Sequence, residues 1–96
     1  MTVQADVLAK HLNASGTVYA GPARLKGFSI CGVASLVGTL LIKDGGVSGT
    51  VLIEIDIPSN SNPNSFYVAI PQQGVRFNTN IFATMTNIAS VTFFYG

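Results

Sequence analysis

The clearest alternation of apolar and polar residues runs through residues 51–57. The first set of alternating positions is Val51, Ile53, Ile55 and Ile57, and the second is Leu52, Glu54 and Asp56. A period of two predicts a β-strand with the first, β-branched set on its inner face and the charged pair on the other. Pro58 should end this strand because proline has no N–H to donate.

A second apolar segment, residues 37–43, precedes this strand and leads into the sequence DGGVSG at 44–49. Asp-Gly followed by further glycine favours a hairpin turn, since these residues accept the positive φ of tight turns. The connection is longer than two residues, so we expect a bulge or an extended turn. The two segments therefore predict a β-hairpin centred on Asp44, Gly45 and Gly46.

Shorter strands are predicted at residues 17–20, 24–33, 66–70, 75–77, 81–85 and 91–95, separated by Gly, Pro and Asn. Within residues 24–33 the core candidates are Leu25, Phe28 and Ile30. The polar stretch 58–65 reads as an exposed loop. In the last strand, Val91, Phe93 and Tyr95 alternate with Thr92 and Phe94, which puts aromatic side chains on both faces. Val91, Phe93, Phe94 and Tyr95 are therefore the candidate contact residues for a partner.

This pattern predicts an all-β fold. Seven or eight short antiparallel strands at a spacing of about ten residues are typical of a single-domain β-sandwich or jelly-roll. Residues 17–96 form the predicted β-sandwich domain. Residues 1–16 are set apart as an N-terminal arm or short helical segment, because the apolar positions at 7–9 and 12 fit a helical turn as well as a strand.

The composition suggests that much of the surface is covered by partners. Only 9% of the 96 residues are charged, against about 25% in an ordinary soluble domain. Ser, Thr, Asn and Gly supply the polar share instead. Uncharged groups cost far less to bury than ions, so we expect burial in an assembly. The alternative is a soluble monomer with a Ser- and Thr-rich surface.

Charge and hydropathy also exclude two classes of partner. The net charge is +1 and the five Lys and Arg residues are scattered, whereas nucleic-acid binding needs clustered cations. The charge-free stretch 27–42 is shorter than the ~20 residues of a membrane span and contains glycines and hydroxyl residues. The beginning of the chain lacks the basic region of a signal peptide. We expect neither nucleic-acid nor membrane binding.

Few residues could carry chemistry. His11 is the only histidine and Cys31 the only cysteine, and Cys31 lies in an apolar run where cysteine packs as a small hydrophobe. Glu54 and Asp56 share a strand face about 6.6 Å apart, which indicates a solvated face. A cation site, an ion pair with a neighbouring strand or subunit, or a small hydrolase are the alternatives. We predict a non-enzymatic protein with no catalytic, cofactor or metal site.

Several sequence stretches carry a family resemblance. They are 21–27 (GPARLKG), 43–46 (KDGG), 48–51 (SGTV), 70–71 (IP), 74–77 (GVRF) and 86–95 (TNIASVTFFY). Over about residues 17–96 the chain resembles small virion proteins of marine tailed bacteriophages. These stretches are structural turns and strands, and they identify no site.

The resemblance implies a capsid decoration (cement) protein or another accessory virion component. Such a β-sandwich would bind outside the shell of major capsid protein, often as a symmetric homo-oligomer, after synthesis in the host cytoplasm. The first sixteen residues lie outside the match and could act as an arm that reaches a neighbour. The alternative function is a receptor- or glycan-binding knob or fibre module. It would use exposed tyrosines among Tyr19, Tyr67 and Tyr95, clustered with Asn and Asp around one pocket.

Overall fold

The computed structural model describes residues 7–59, 61, 65–71 and 73–96. These residues form nine β-strands. The strands are β1 (Leu8–Leu12), β2 (Gly16–Tyr19), β3 (Ala23–Gly32), β4 (Gly38–Asp44), β5 (Thr50–Ile57), β6 (Ser65–Ala69), β7 (Val75–Phe77), β8 (Ile81–Thr86) and β9 (Ile88–Tyr95). The described part of the chain contains no helix. The all-β prediction is confirmed, and the predicted strands from residue 17 onward lie within one residue of the observed ones, except that β9 begins at Ile88.

The strands form two antiparallel sheets packed face to face. Sheet A has the order β1-β9-β3-β6, with β7 pairing β3 beyond the end of β6, and sheet B has the order β2-β8-β4-β5. Because β6 and β7 occupy one strand position in succession, each sheet has four positions. This order, in which the chain repeatedly crosses between the sheets, is that of a jelly roll. The β-sandwich prediction is confirmed.

The hydrophobic core fills the space between the two sheets. Leu25, Phe28 and Ile30 of β3 are buried, as predicted. The other buried apolar residues are Val18, Leu40, Ile42, Phe77, Ile81, Ala83, Ile88, Val91, Phe93 and Tyr95. Nearly all of them alternate with half-buried or exposed neighbours along their strands, as expected when one face of each sheet packs on the core and the other faces outward.

A bulge in β3 explains how two core residues can be three positions apart. Leu25 pairs with Tyr95, but the next register pair joins Gly27 to Phe94, so Lys26 is the extra residue. Strict alternation would direct Leu25 and Phe28 to opposite faces. The bulge corrects this parity, and both side chains are buried.

The β4–β5 hairpin is confirmed, with a bulge that corrects one predicted inner residue. Ile42 pairs with Ile53, whereas Lys43 pairs with Val51, so Leu52 is the extra residue of β5. Ile53, Ile55 and Ile57 are half-buried on the inner side, as predicted. The prediction for Val51 is wrong, because the bulge shifts it to the outer face, where it is exposed.

The N-terminal segment is a strand where it is described. Leu8–Leu12 forms β1 and pairs antiparallel with β9, so the helical alternative is wrong for these residues. Long-range pairing with β9 outweighs the weak local preference for a helical turn. Of the predicted loop 58–65, residues 60 and 62–64 lie outside the described residues, as does residue 72, between the strands predicted at 66–70 and 75–77.

Candidate interaction surface

Beyond the β3 bulge, the outer face of sheet A carries no Asp, Glu, Lys or Arg among the described residues of four adjacent strands. The alternation of each strand and the register of its pairs place eleven residues on it. They are Ala9 and His11 of β1, Ser90, Thr92 and Phe94 of β9, Gly27, Ser29 and Cys31 of β3, and Ser65, Tyr67 and Ala69 of β6. We call this set the charge-free face. The face ends at Lys26, in the β3 bulge, and the cross-strand pair of Arg24 and Arg76 lies beyond it on the same side of sheet A.

Hydroxyl side chains occupy the centre of the charge-free face. Ser29 pairs with Thr92 on one side and with Tyr67 on the other. The Thr92 hydroxyl lies 2.9 Å from Nδ1 of His11, its cross-strand neighbour on β1. His11 is therefore an exposed polar residue hydrogen-bonded within the sheet surface, an arrangement that needs no ligand.

Two aromatic residues, Tyr67 and Phe94, lie beside these hydroxyl side chains. Tyr67 is 58% exposed, and its ring meets that of Phe94 edge-on with the centroids 6.1 Å apart. The Tyr67 ring also covers Gly27, where a Cβ would lie 2.9 Å from Cζ of the tyrosine. Because Gly27 has no side chain, the Tyr67 ring can lie directly against its backbone. The ring in turn covers this stretch of backbone.

The outer face of sheet B carries charge on two of its adjacent strands. Lys43 of β4 and Glu54 and Asp56 of β5 lie on this side. Half-buried Leu41 lies between Glu54 and Thr84, and half-buried Phe82 lies between Lys43 and Thr17. Each sheet therefore carries charged residues, and the charge-free face is the part of sheet A that lies beyond Lys26.

Three of the four residues predicted to contact a partner lie in the core. Val91, Phe93 and Tyr95 are 1%, 0% and 9% exposed, because the inner face of β9 packs against sheet B. This burial makes their side chains unavailable to a partner in the folded chain. Phe94 alone faces outward, half-buried beside Tyr67.

The predicted carboxylate pair lies on an open strand. Glu54 and Asp56 are exposed on β5, the edge strand of sheet B. Their partners in β4 are Leu41 and Thr39, and the Thr39 hydroxyl donates to an Asp56 oxygen at 3.5 Å. This geometry matches the predicted solvated strand face.

Cys31 is half-buried on the charge-free face. Its thiol makes a weak contact of 3.7 Å with the carbonyl of Gly32. It lies opposite Ser90 on β9 and Ser65 on β6, so its immediate cross-strand neighbours are uncharged.

Asp44 has a structural role that the sequence did not predict. Its carboxylate accepts the backbone N–H groups of Asn78, Thr79 and Asn80 at 2.9, 2.8 and 3.3 Å. In return, the amide oxygen of Asn80 accepts the N–H groups of Gly45 and Gly46 at 3.1 and 2.9 Å. The hairpin turn and the β7–β8 connection therefore hold each other in place. Its hydrogen bonds from Asn78, then Thr79 and Asn80, lower the pKa of the Asp44 carboxyl from its ordinary 3.8, against a smaller opposing effect of burial.

The described clefts lie at the end of sheet A and do not gather the tyrosines. One, of about 410 Å³, is lined by Arg24, Ile70, Pro71, Gln73, Gly74 and Val75. A second, of about 220 Å³, lies beside the cross-strand pair of Arg24 and Arg76. Tyr19, on β2 of sheet B, instead contacts the buried Tyr95 with ring centroids 5.2 Å apart and planes tilted by 33°, whereas Tyr67 lies on β6 of sheet A. The cluster expected of a glycan-binding module is absent from the described residues.

Two further observations concern the described residues alone. No group of three or more His, Cys, Asp or Glu side chains among them could hold a metal ion. Within the same residues, no helix is long and apolar enough to cross a membrane. Comparison of the chain with protein-family models, with curated proteins and with solved structures gives no match.

Proposed function

We propose that the protein is a non-enzymatic structural component of a bacteriophage virion, namely a capsid decoration (cement) protein that stabilises the shell of major capsid protein. The charge-free face is the observation that carries this proposal. A sheet face of eleven residues without a charged side chain is unusual for a surface that meets only water. Such a face can be buried without the large cost of desolvating ions.

The fold is compatible with this role. Jelly rolls occur in viral capsid proteins and also in lectins, so the topology alone does not select between a decoration protein and a glycan-binding module. The separation of Tyr67 from Tyr19 gives less support to a glycan site. The resemblance to phage virion proteins over residues 17–96 favours the shell.

Mass spectrometry of purified phage particles tests the location. A decoration protein should be present in hundreds of copies, whereas a tail or fibre component should be present in far fewer. Particles lacking the protein should lose resistance to heat and pressure. If these particles are as stable as the complete ones, or if the chain is missing from virions, the proposal fails.

A pair of matched lysine variants tests the surface. Ser29 lies at the centre of the charge-free face on β3, and Thr39 is its counterpart on the outer face of sheet B, also half-buried on an inner strand. Ser29→Lys should abolish rebinding to stripped particles because the shell would bury an unpaired ammonium. Thr39→Lys should leave rebinding unchanged. Equal binding by both variants would rule out the charge-free face as the contact.

A further inference from the structure

The sandwich leaves four strands at the edges of its sheets: β1 and β6 in sheet A, and β2 and β5 in sheet B. An edge strand presents unpaired N–H and C=O groups, which can pair with another chain. Proteins that avoid this place charges, bulges, proline or very short strands at their edges. The four edges differ sharply in this respect.

The β1 and β2 edges carry such features. Lys10 of β1 pairs with Phe93, so it lies on the inner side of sheet A, where a docking strand would bury its charge. Strand β2 has only four residues and a register shift between Thr17 and Tyr19. Residues Gly21 and Pro22 follow it closely. Both edges are poor templates for a further strand.

The β5 edge is protected as well. Its bulge at Leu52 interrupts the ladder, Glu54 and Asp56 give it negative charge, and Pro58 follows its last residue. A second copy of β5 would bring these carboxylates close to their own equivalents, which is unfavourable for like charges.

Strand β6 has neither charge nor bulge, and Pro71 lies two residues beyond its end. Its sequence, SFYVA, contains no charge and no proline. It pairs with β3 through five consecutive residues without a register shift. Within the described part of the chain, no strand pairs with its other edge.

Backbone geometry identifies which groups of β6 are free. The N–H of Ile70 donates to the carbonyl of Lys26 on β3 at 3.3 Å, continuing the register in which Phe28 pairs with Val68. In an antiparallel strand the N–H and C=O of one residue point to the same side, and this side alternates along the chain. Residues 66 and 68 therefore bond to β3. Ser65, Tyr67 and Ala69 direct their backbone groups to the free edge.

We propose that two copies of this chain associate through their β6 strands, antiparallel and about a twofold axis at Tyr67. In this register Tyr67 pairs with its own equivalent, and Ser65 pairs with Ala69 of the second copy. Each of these three pairs exchanges two backbone hydrogen bonds. Every free N–H and C=O of β6 is then satisfied, without an unpaired charge at the contact.

The association joins two copies of sheet A into one sheet of eight strand positions, and the two charge-free faces become continuous. The two Tyr67 side chains become cross-strand neighbours on that face, each already supported by Gly27 and Phe94. The contact is isologous and closes with two copies. The proposed dimer depends only on the free edge of β6. The proposal is therefore independent of whether the protein is part of a virion.

Cysteine cross-linking tests both the strand and the register. In a Cys31→Ser background, Tyr67→Cys places two thiols on directly paired residues. Their Cα atoms would lie about 5.5 Å apart, within the range of a disulfide. Ala69→Cys is the matched control on the same strand and face, because its equivalents would be four residues out of register, roughly 13 Å apart. Mild oxidation should yield covalent dimers of the first variant only. Equal cross-linking of both variants, or none of either, would overturn the proposal.

Sedimentation equilibrium tests the association without cross-linking. The wild-type chain should reach a dimer with rising concentration. Tyr67→Lys should weaken dimerisation by roughly fivefold or more, since it sets two ammonium groups opposite each other. Tyr67→Thr, which keeps the backbone bonds and adds no charge, should dimerise more tightly than Tyr67→Lys. A wild-type chain that stays monomeric at millimolar concentration would refute the pairing.

Discussion

Replacing Phe93 by alanine tests whether this side chain of β9 packs in the hydrophobic core or is available to contact a partner. The side chain is fully buried, and its ring lies 6.0 Å from that of Phe28, the residue paired with it across the strands. Removing a buried phenylalanine ring loses its transfer free energy and leaves a cavity, and together these cost about 3–5 kcal/mol. The whole free energy of unfolding of such a domain is about 5–15 kcal/mol.

Urea denaturation followed by circular dichroism measures this loss. With a slope of about 2 kcal/mol per molar urea, the midpoint should fall by about 2 M. The neighbouring variant Phe94→Ala is the control. Phe94 is half-buried and contacts Tyr67 on the outer face, so its loss should cost only about 1 kcal/mol.

The relative stability losses of Phe93→Ala and Phe94→Ala show which face of β9 packs in the core. If Phe94→Ala destabilised the chain more than Phe93→Ala, the assignment of the inner face of β9 would be reversed. A cost below about 1 kcal/mol for Phe93→Ala would mean that the ring does not lie in a close-packed core.

Three further outcomes follow from the polar contacts. Because the folded-state pKa of Asp44 is lowered, its ionised form stabilises the fold above its ordinary pKa, and this contribution is lost as the pH falls through the folded-state value. The urea midpoint of the wild type should therefore fall more steeply than that of Asp44→Asn between about pH 5 and pH 3, and parallel curves would contradict the carboxylate contacts. Thr84 has a buried hydroxyl that finds no hydrogen-bond partner among the described residues, so Thr84→Val should raise the free energy of unfolding by about 1 kcal/mol, whereas Thr86→Val, at an exposed position on the same strand, should change it little. Arg24 and Arg76 are directly paired on β3 and β7, so Arg76→Thr should stabilise the chain by roughly 0.2–1 kcal/mol, a gain that should shrink in high salt.

Local pattern was sufficient to predict most strands and the main hairpin. The alternation in residues 51–57 and the turn residues Gly45 and Gly46, both with positive φ, act between near neighbours in sequence. The core positions Leu25, Phe28 and Ile30 were also predicted, although their spacing requires a bulge. Val51 was assigned to the wrong face because a bulge depends on the partner strand, which alternation within one segment does not reveal.

The candidate surface depends on contacts between distant parts of the chain, and these were not predictable from the sequence. Strand β1 pairs with β9, and β9 lies between β1 and β3. The outer residues of four strands form one face only after this order is known. The same is true of Asp44 and Asn80, whose mutual hydrogen bonds join turns 34–36 residues apart in sequence.

The chemistry of the charge-free face also constrains its partner. Phe94 and Tyr67 supply its large apolar surface, and most of the remaining positions are Ser, Thr, Ala or Gly. Burying hydroxyl groups gains stability only where the partner returns their hydrogen bonds. A purely apolar partner surface would bury the Ser29 hydroxyl without returning its hydrogen bonds. A charged partner surface would have its own ions stripped of water on contact. The partner should therefore offer uncharged donors and acceptors around a hydrophobic recess for the Tyr67 ring, spread over the width of the sheet.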